Sequence, residues 1–342
     1  MILSENVPLS TLTTFKVGGP ARVVVTCASE EDLHEARAFI RDRGHVYRVL
    51  GEGSNVLASD HGYEGIIIRM DMCGLAFTDM PEGDVLVEAG AGESWDTLVR
   101  LSAERMLWGI ENLAGIPGTV GAAPVQNIGA YGMELSDTFV YADVYDMESG
   151  TVTRMTKNAC AFAYRESFFK HTPSLVIVRI GLHLKRRSAP KIQYADLARL
   201  HEAGEQLMTP LEIGAAVRKV RTLKFPDLCT HGTAGSFFKN PIITEAEYNE
   251  LSVRYALYGS IPRYLVHTGG GVKIALAFVL DKILGLKGYR EGRVSLFQNQ
   301  PLVLVADTGA TATEIDAFAT MIAARVHDAT GIQIEREVRT VN

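Results

Sequence analysis

The sequence contains the segment Gly232-Thr233-Ala234-Gly235-Ser236-Phe237-Phe238-Lys239-Asn240-Pro241, which places one hydroxyl between a glycine and an aromatic pair. Glycine permits backbone conformations with φ > 0 and lets a ligand approach the main chain closely. Ser236 is therefore expected at a tight turn that presents its hydroxyl, with a buried strand following it. A turn and strand without a binding role is the simpler interpretation, and other parts of the chain bear on the choice.

Size and composition predict an ordinary globular protein. The 342 residues suggest two or three domains, with 47% hydrophobic and 22% charged residues and a net charge of −6. There is no long basic run, so nucleic-acid binding is not expected. There is also no apolar run of about 18 residues, so no membrane span is expected. The four cysteines form no C-x-x-C pair, which argues against a metal site and favours a reducing, cytoplasmic location.

Strand and helix patterns alternate along the chain and indicate an α+β or α/β class. Ser29 and Asp32 have the spacing of a capping box, and Gly44 has the position of a C-terminal glycine cap. Thr209-Pro210-Leu211-Glu212 predicts another helix start. Further along, we expect a helix over 272–284, a helix over 313–330, and a closing strand over 332–341.

Three glycine-rich loops, at 51–55, 90–94 and 115–132, offer backbone N–H groups that suit an anion. No G-x-x-x-x-G-K-[ST] motif occurs, which argues against a P-loop. Gly90-Ala91-Gly92 has Trp95 where a dinucleotide fingerprint needs its third glycine. The loops therefore predict a diphosphate-bearing ligand that is held by several non-adjacent segments.

An ordered set of blocks resembles the UDP-N-acetylenolpyruvoylglucosamine reductase family over nearly the whole chain. The blocks are Gly51-Glu52-Gly53-Ser54-Asn55-Val56-Leu57, Ile116-Pro117-Gly118-Thr119-Val120-Gly121-Ala122, Gln126-Asn127-Ile128-Gly129-Ala130-Tyr131-Gly132, Tyr164-Arg165-Glu166-Ser167-Phe168-Phe169-Lys170, Gly235–Pro241 and Glu335-Arg336-Glu337-Val338-Arg339. Tyr194-Ala195-Asp196-Leu197 is similar to the substrate-capping segment of the longer, tyrosine-loop subclass. The chain departs from the common family pattern at Arg336, where many relatives have Pro, and at Phe297–Pro301.

The resemblance implies an α+β protein with a vanillyl-alcohol-oxidase-type FAD-binding fold. Two α/β subdomains, 1–70 and 71–208, would bind FAD, and a third α/β domain, 209–330, would bind substrate. Residues 331–342 would return to the first subdomain. The implied enzyme is a monomeric, cytoplasmic flavin-dependent oxidoreductase that uses NADPH. It would reduce the enolpyruvyl ether of UDP-N-acetylenolpyruvoylglucosamine to UDP-N-acetylmuramate in peptidoglycan precursor synthesis.

The resemblance also implies a set of site residues. Non-covalent FAD would be held by Gly51, Gly53, Ser54, Asn55, Gly90, Gly92, Ile116, Pro117, Gly118, Gly121, Ala122, Gln126, Asn127, Gly129, Ala130 and Tyr131. Substrate would be held by Tyr194, Lys224, Lys239, Asn240 and Gln300. Catalysis would rest on Arg165, Ser236 and Glu337, and no metal is expected.

The expected chemistry explains the three catalytic residues. Hydride addition to a vinyl ether that carries a carboxylate pushes charge onto the adjacent carbon and the carboxylate. Arg165 suits this charge because a guanidinium binds a carboxylate through two donors and stays charged. Ser236 would give the carbon its proton. Glu337 would share one strand face with Glu335 and Arg339, and the family pattern, not periodicity, selects Glu337 as the inward residue.

Two other functions remain open at this point. One is a different flavin enzyme on the same scaffold, such as an oxidase that tethers its flavin, for which His61 is the nearest candidate residue. The other is a nucleotide-sugar binding protein without turnover. Neither would give Ser236 and Glu337 a purpose.

Overall fold

A computed structural model describes residues 1–264 and 270–342. Its contacts divide the chain into two compact units. The first unit comprises Met1–Val7, Ala21–Glu52 and Glu64–Arg221, and the second comprises Pro8–Pro20, Gly53–Tyr63 and Thr222–Asn342. The chain therefore passes between the units several times.

Short strands make up much of the described chain. They are β1 (Ile2–Pro8), β2 (Pro20–Cys27), β3 (Tyr47–Leu50), β4 (Val56–Ala58), β5 (Tyr63–Met70), β6 (Leu75–Asp79), β7 (Val85–Gly90), β8 (Gly129–Ala130), β9 (Met133–Glu134), β10 (Phe139–Asp146), β11 (Thr151–Thr156), β12 (Leu175–Leu184), β13 (Ile242–Ile243), β14 (Arg263–Tyr264), β15 (Val272–Ile274), β16 (Arg290–Glu291), β17 (Val294–Phe297), β18 (Gln300–Ala306) and β19 (Arg339–Val341).

The α-helices are fewer. They are α1 (Glu30–Arg43), α2 (Trp95–Glu104), α3 (Ala195–Glu202), α4 (Pro210–Lys224), α5 (Glu245–Arg254), α6 (Leu276–Phe278) and α7 (Ala312–Thr330). Short 3₁₀ turns occupy much of the stretch between α2 and β10, including Glu111–Leu113 and Val120–Gln126. The mixture of helix with largely antiparallel sheet confirms the α+β class.

The first unit contains two larger sheets. One has the strand order β1-β2-β5-β3, in which β3 and β5 are parallel. The other is an antiparallel sheet with the order β11-β10-β12-β7-β6. Leu33, Ala36 and Ile40 of α1 pack in the core beside the first sheet, and Trp95 and Leu98 of α2 pack in the core of the second. Each helix thus buries its apolar side on a sheet.

The second unit is built around the antiparallel sheet β16-β17-β18 and helix α7. Phe237 and Phe238 lie in its core, each 1% exposed, beside Ile315 and Phe318 of α7. A smaller sheet has the order β13-β15-β14, and β19 pairs with β4 in parallel. The aromatic pair that follows Ser236 is therefore buried, as predicted.

Local signals in the sequence located several element ends. The Ser29 and Asp32 side chains form both bonds of the capping box of α1, and Gly44 ends that helix with φ 61°. Helix α4 begins at Pro210, and the N–H of Glu212 donates to the Thr209 hydroxyl. Such caps need only residues a few positions apart, which is why the sequence alone predicts them.

Three predictions of regular structure were wrong or incomplete. Residues 272–284 form β15, the short α6 and a π-helical turn over Val279–Ile283, and not one helix. Residues 332–338 are not a regular strand, since only β19 is. Strand β4 was missed, because its three residues carry too short a pattern to read.

The domain boundaries stay a prediction. The first unit extends to Arg221 and so includes most of α4, whereas the predicted third domain begins at 209. As for membrane crossing, none of the helices in the described ranges has both the length and the apolar character that a span requires.

Candidate functional site

Parts of the three predicted loops meet in the first unit. A Cβ on Gly51 would lie 2.8 Å from Oγ1 of Thr119 and 3.2 Å from the Cβ of Ala122. A Cβ on Gly121 would lie 2.6 Å from the Cβ of Ala91. Glycine is thus required here by close approach of one loop to another. Residues 51–52, 90–94 and 118–122 form one surface of backbone.

Backbone hydrogen bonds hold this surface together. The N–H of Gly121 donates to the carbonyl of Ala91 at 2.9 Å, and that of Val120 donates to the carbonyl of Glu93 at 2.8 Å. The carbonyl of Gly118 accepts from Trp95 at 3.0 Å. Trp95 also excludes the close helix–strand packing that a dinucleotide fingerprint needs, and it is 1% exposed in the core.

Two charged residues that the sequence analysis missed support the loop at Gly115. The N–H of Gly115 donates to Oδ1 of Asp96 at 2.6 Å, and its carbonyl accepts from Nε of Arg221 at 2.8 Å. Arg218 also donates to Asp96, at 2.8 Å. Burial acts to raise the pKa of Asp96, but these donors prevail and lower it. The i,i+3 spacing of Arg218 and Arg221 on α4 was the available signal.

One backbone N–H of the loop surface already binds a carboxylate. The N–H of Gly118 donates to Oε2 of Glu52 at 2.9 Å, and Glu52 is an exposed side chain. A backbone N–H that binds a carboxylate is suited to a phosphate oxygen, since both are anionic acceptors. The predicted FAD therefore fits these residues, because the surface is built from closely packed backbone and one of its N–H groups binds an anionic oxygen.

Three non-glycine residues of the predicted site have left-handed backbone conformations. They are Asn127 with φ 43°, Tyr131 with φ 48° and Arg165 with φ 55°. Such conformations are uncommon for residues with a side chain and cost free energy unless the surroundings hold them. Strain of this kind concentrates at functional sites, so its occurrence at three predicted site residues supports a functional role for this region.

Arg165 lies in a tight turn between Ala163 and Glu166, whose backbones are bridged in both directions. Its Nη2 donates to the carbonyl of Gly129 at 2.8 Å, and its own carbonyl accepts from Nζ of Lys170 at 2.8 Å. Arg165 is half-buried. The turn thus holds the guanidinium against the loop that also carries Tyr131.

Asn127 supports the same turn from the inside. It is fully buried, and its Nδ2 donates to the carbonyl of Ala163 at 3.1 Å and to Oε2 of Glu134 at 2.8 Å. Its Oδ1 accepts from the N–H of Ser136 at 3.0 Å. Its side chain therefore binds protein groups in this structure, and direct contact with a cofactor stays a prediction.

Tyr131 and Tyr194 are in contact. Their ring centroids lie 5.3 Å apart at an interplanar angle of 79°, which is an edge-to-face arrangement. Burial raises the pKa of Tyr131 to about 12, so its hydroxyl stays protonated at neutral pH. Tyr194 precedes α3, and Leu197 in that helix is fully buried in the core of the first unit. The predicted cap is therefore joined to the loop that carries Tyr131.

In the second unit, the segment that carries Ser236 lies between two other segments. On one side Ser236 pairs with Val303 of β18, and the N–H of Phe237 donates to the carbonyl of Leu302 at 2.8 Å. On the other side Phe238 pairs with Arg336. Gly235 has φ 74°, as the predicted turn requires. Ser236 is half-buried, and its hydroxyl makes no hydrogen bond to any residue that the structure describes.

Both backbone polar groups of Glu337 make hydrogen bonds. Its N–H donates to the carbonyl of Phe237 at 2.8 Å, and its carbonyl accepts from Nδ2 of Asn55 at 3.2 Å. Glu337 is half-buried, whereas Glu335 is exposed. The prediction that Glu335, Glu337 and Arg339 share one face of a strand was wrong, because the chain is irregular before β19.

Arg336, the departure from the common family pattern, anchors this segment to α7. It forms an ion pair with Asp316, and its Nη2 donates to Oγ1 of Thr320 at 2.8 Å. The two backbone bonds on either side use the N–H groups of Glu337 and Lys239, and not that of Arg336. A residue without an N–H is thus compatible with the same pairing, which accounts for proline and arginine as alternatives here.

Four of the five predicted substrate residues, all except Tyr194, lie in the second unit. Nζ of Lys239 donates to Oε2 of Glu335 at 2.7 Å. Oδ1 of Asn240 accepts from the N–H of Leu276 at 3.1 Å. Gln300 begins β18, and Lys224 is half-buried at the end of α4. Lys239 and Asn240 follow Ser236 and the Phe237–Phe238 pair along the same segment. Their contact with substrate stays a prediction.

The other predicted cofactor residues vary in exposure. Gly53, Gly90 and Gly118 are buried; Ser54, Asn55, Gly92, Ile116, Gln126, Gly129 and Ala130 are half-buried; and Pro117 is exposed. Gly90 also borders a cavity of about 310 Å³ whose lining includes Met72, Cys73, Glu88, Val178 and Arg179. Binding by each of these residues stays a prediction.

Comparisons with known proteins agree with this geometry. A family model described as FAD binding domain matches residues 21–156, and one described as UDP-N-acetylenolpyruvoylglucosamine reductase, C-terminal domain, matches residues 227–341. The UDP-N-acetylenolpyruvoylglucosamine reductase of Pseudomonas aeruginosa is 38% identical over 98% of both chains. That of Escherichia coli K12 is 34% identical over 98% of this chain and 96% of its own.

A solved structure agrees as well. The crystal structure of the corresponding reductase from Thermus caldophilus matches over 100% of both chains, with a TM-score of 0.68 and 25% identity. The ordered sequence blocks, the FAD-binding domain and the C-terminal domain all lead to one conclusion. The chain belongs to the UDP-N-acetylenolpyruvoylglucosamine reductase family.

Proposed function

We propose that this protein reduces the enolpyruvyl ether of UDP-N-acetylenolpyruvoylglucosamine to UDP-N-acetylmuramate, with NADPH as the reductant and FAD as the resident cofactor. The observation that carries the proposal is the buried pairing of the Ser236 segment with β18 on one side and with the Glu337 segment on the other. A hydroxyl offered at this turn suits a reaction that must deliver a proton to carbon.

The FAD would be held by the loop surface of the first unit, which residues 51–52, 90–94 and 118–122 form. When bound, it supplies hydride chemistry between NADPH and the substrate. The protein's part is to bind it: Gly51 and Gly121 let the loops pack closely on one another, and Asp96 with Arg221 braces the loop at Gly115. The backbone donors suit the diphosphate, because they bring partial positive charge without a lysine.

Arg165 would bind the substrate carboxylate and stabilise the negative charge that grows there. A fixed guanidinium stabilises developing charge better than water does, because it need not reorient during the reaction. Its turn is strained and braced by Asn127, which preorganises the group. Ser236 would donate the proton to the carbon beside the carboxylate, and Glu337 would lie in the neighbouring segment as a second acid.

The nucleotide part of the substrate would be bound by Tyr194, Lys224, Lys239, Asn240 and Gln300. Lys239 is now paired with exposed Glu335. An exposed ion pair contributes little free energy, so a diphosphate can displace Glu335 at small cost. We further propose that the protein acts as a monomer in the cytoplasm and needs neither a metal nor a nucleic acid.

The test of function uses the purified protein. NADPH oxidation at 340 nm is measured with and without the enolpyruvyl sugar, and the product is identified by mass. We expect NADPH consumption that depends on the sugar, with one UDP-N-acetylmuramate formed for each NADPH. A protein that binds the sugar without consuming NADPH would be a binding protein, and the proposal would then be wrong.

FAD should be bound without a covalent link. The loops are rich in donors, and His61 is the candidate tether nearest to the first loop in the sequence. Trichloroacetic acid precipitation should therefore leave the yellow colour in the supernatant, with FAD identified there by chromatography. Colour retained in the pellet would favour the tethered oxidase class instead.

Tyr194→Phe should weaken substrate binding while leaving flavin content unchanged. The ring contact with Tyr131 survives this change, whereas the hydroxyl is lost. We expect KM for the sugar to rise about fivefold to tenfold, the effect of one lost hydrogen bond. Tyr258→Phe, on an exposed turn of the second unit, is the matched control. An unchanged KM in Tyr194→Phe would remove the hydroxyl from the substrate site.

A further inference from the structure

Asn112 lies in the short 3₁₀ turn Glu111–Leu113 and is fully buried. No predicted role falls on it. Its Nδ2 donates to two carbonyls from distant parts of the chain, that of Tyr131 at 2.9 Å and that of Lys191 at 2.8 Å. The amide group thus joins the loop that carries Tyr131 to the segment that leads into Tyr194.

The 3₁₀ turn that carries Asn112 is fixed by hydrogen bonds to its neighbours. Oε2 of Glu111 accepts from the N–H of Gly109 at 2.6 Å, and the carbonyl of Leu113 accepts from Nε1 of the buried Trp95 at 3.0 Å. The turn is therefore fixed on both sides of Asn112. Its amide is presented from the core and not from a mobile surface.

The chemistry of this contact requires a donor pair. Oδ1 of Asn112 is buried and has no hydrogen-bond partner within 1–264 or 270–342, so the side chain acts through its two N–H groups. Without Asn112 the buried Tyr131 carbonyl would need another donor, since buried carbonyls are nearly always paired, and the part-buried Lys191 carbonyl would be left to water. Aspartate is about the same size but lacks the amide donors, and leucine, which branches at the same carbon and is larger, has no donor at all.

One accepting residue, Tyr131, belongs to the tyrosine pair, and the other, Lys191, lies three positions before Tyr194. Tyr131 has φ 48°, a conformation that its surroundings must maintain, and its ring meets that of Tyr194. Lys191 is exposed, and its Nζ lies 3.4 Å from Oδ2 of the surface residue Asp137. The Asn112 amide thus attaches the backbone of Lys191 to the core.

We propose that Asn112 is a positioning residue that clamps Lys191, just before the substrate-capping segment Tyr194–Leu197, to the loop that carries Tyr131. This inference rests on the proposed function, because it assigns a purpose to that segment. Asn112 touches neither substrate nor cofactor in this role. It sets the distance between Tyr131 and Tyr194, and through them the affinity for the nucleotide sugar.

The first experiment needs no turnover. Limited trypsin digestion of the FAD-containing protein is followed by mass spectrometry at the bond after Lys191. Asn112→Leu keeps a side chain that branches at the same carbon and removes both donors, so cleavage there should be several times faster than in the wild type. Ser102→Ala is the control: its hydroxyl is equally buried in the same core and has no hydrogen-bond partner among the described residues.

The second experiment is a double-mutant cycle with Tyr194→Ala. Asn112→Leu alone should raise KM for the sugar about tenfold, with flavin content and NADPH-driven bleaching of the flavin unchanged. In the Tyr194→Ala background the same change should add little, because both act through one segment. Ser102→Ala should leave KM unchanged in either background.

Three outcomes would overturn the inference: unchanged cleavage after Lys191, unchanged KM, or effects of Asn112→Leu and Tyr194→Ala that multiply. If Asn112→Leu does not fold, Asn112→Ala is measured in its place, since alanine is smaller and has no side-chain donor. Absence of any sugar-dependent NADPH oxidation in the wild type would refute the proposed function instead. The cleavage result stands apart from that outcome.

Discussion

Ser236→Ala should abolish nearly all reduction of the enolpyruvyl sugar while the protein keeps its fold and its flavin. Alanine fits where serine does, and the Ser236 hydroxyl makes no hydrogen bond to a described residue that the change would break. The negative charge on the substrate carbon would then lack its proton donor. A barrier higher by about 4 kcal/mol lowers the rate about a thousandfold.

Separate half-reactions locate the defect. NADPH should bleach the flavin of Ser236→Ala at the wild-type rate, and the return of colour on adding the sugar should be slow. Ser236→Cys should keep part of the activity, because a thiol can also give up a proton. In heavy water the wild-type product should carry deuterium on the carbon beside the carboxylate.

The matched control is Ser252→Ala, a buried hydroxyl on α5 of the same unit that has no hydrogen-bond partner among the described residues. It should have wild-type rates in both half-reactions. If Ser236→Ala reduces the sugar nearly as fast as the wild type, Ser236 is only a turn residue. Glu337, held in the neighbouring segment, would then be the next donor to test.

Arg165→Ala should lower turnover by a factor of hundreds or more, with flavin reduction by NADPH intact. The loss of one preorganised group for a developing negative charge costs about 3 to 4 kcal/mol. The structure adds a specific reason for a large effect, because the guanidinium is fixed by a strained turn and by the carbonyl of Gly129. Removing the side chain therefore removes a group whose position is already fixed before the substrate binds.

Arg165→Lys distinguishes charge from geometry. Lysine keeps the positive charge but cannot bind a carboxylate through two donors, so we expect activity between those of the wild type and Arg165→Ala. Arg154→Ala is the control, since Arg154 lies over Tyr141 and pairs with Asp143 on the sheet surface. Equal damage to both half-reactions in Arg165→Ala would indicate a role in holding the loop and not in binding substrate.

The sequence by itself determined the elements whose signals are local. The capping box at Ser29, the helix start at Pro210 and the turn before the Phe237–Phe238 pair all depend on residues a few positions apart. The order of the motif blocks led to the family in the same way. The prediction of one helix over 272–284 was wrong because an apolar run without clear periodicity fits strand and helix equally.

Only the tertiary structure decided how these pieces meet. Asn55 and Glu337 are 282 positions apart, and no pattern along the chain predicts that the side-chain amide of Asn55 donates to the backbone carbonyl of Glu337. The left-handed backbone of Arg165 is equally hidden, since a side chain there is disfavoured locally and is tolerated only because surrounding contacts maintain it. Asn112 lies in none of the motif blocks, and the positioning role that we propose for it depends on two carbonyls that long-range folding brings to one buried amide.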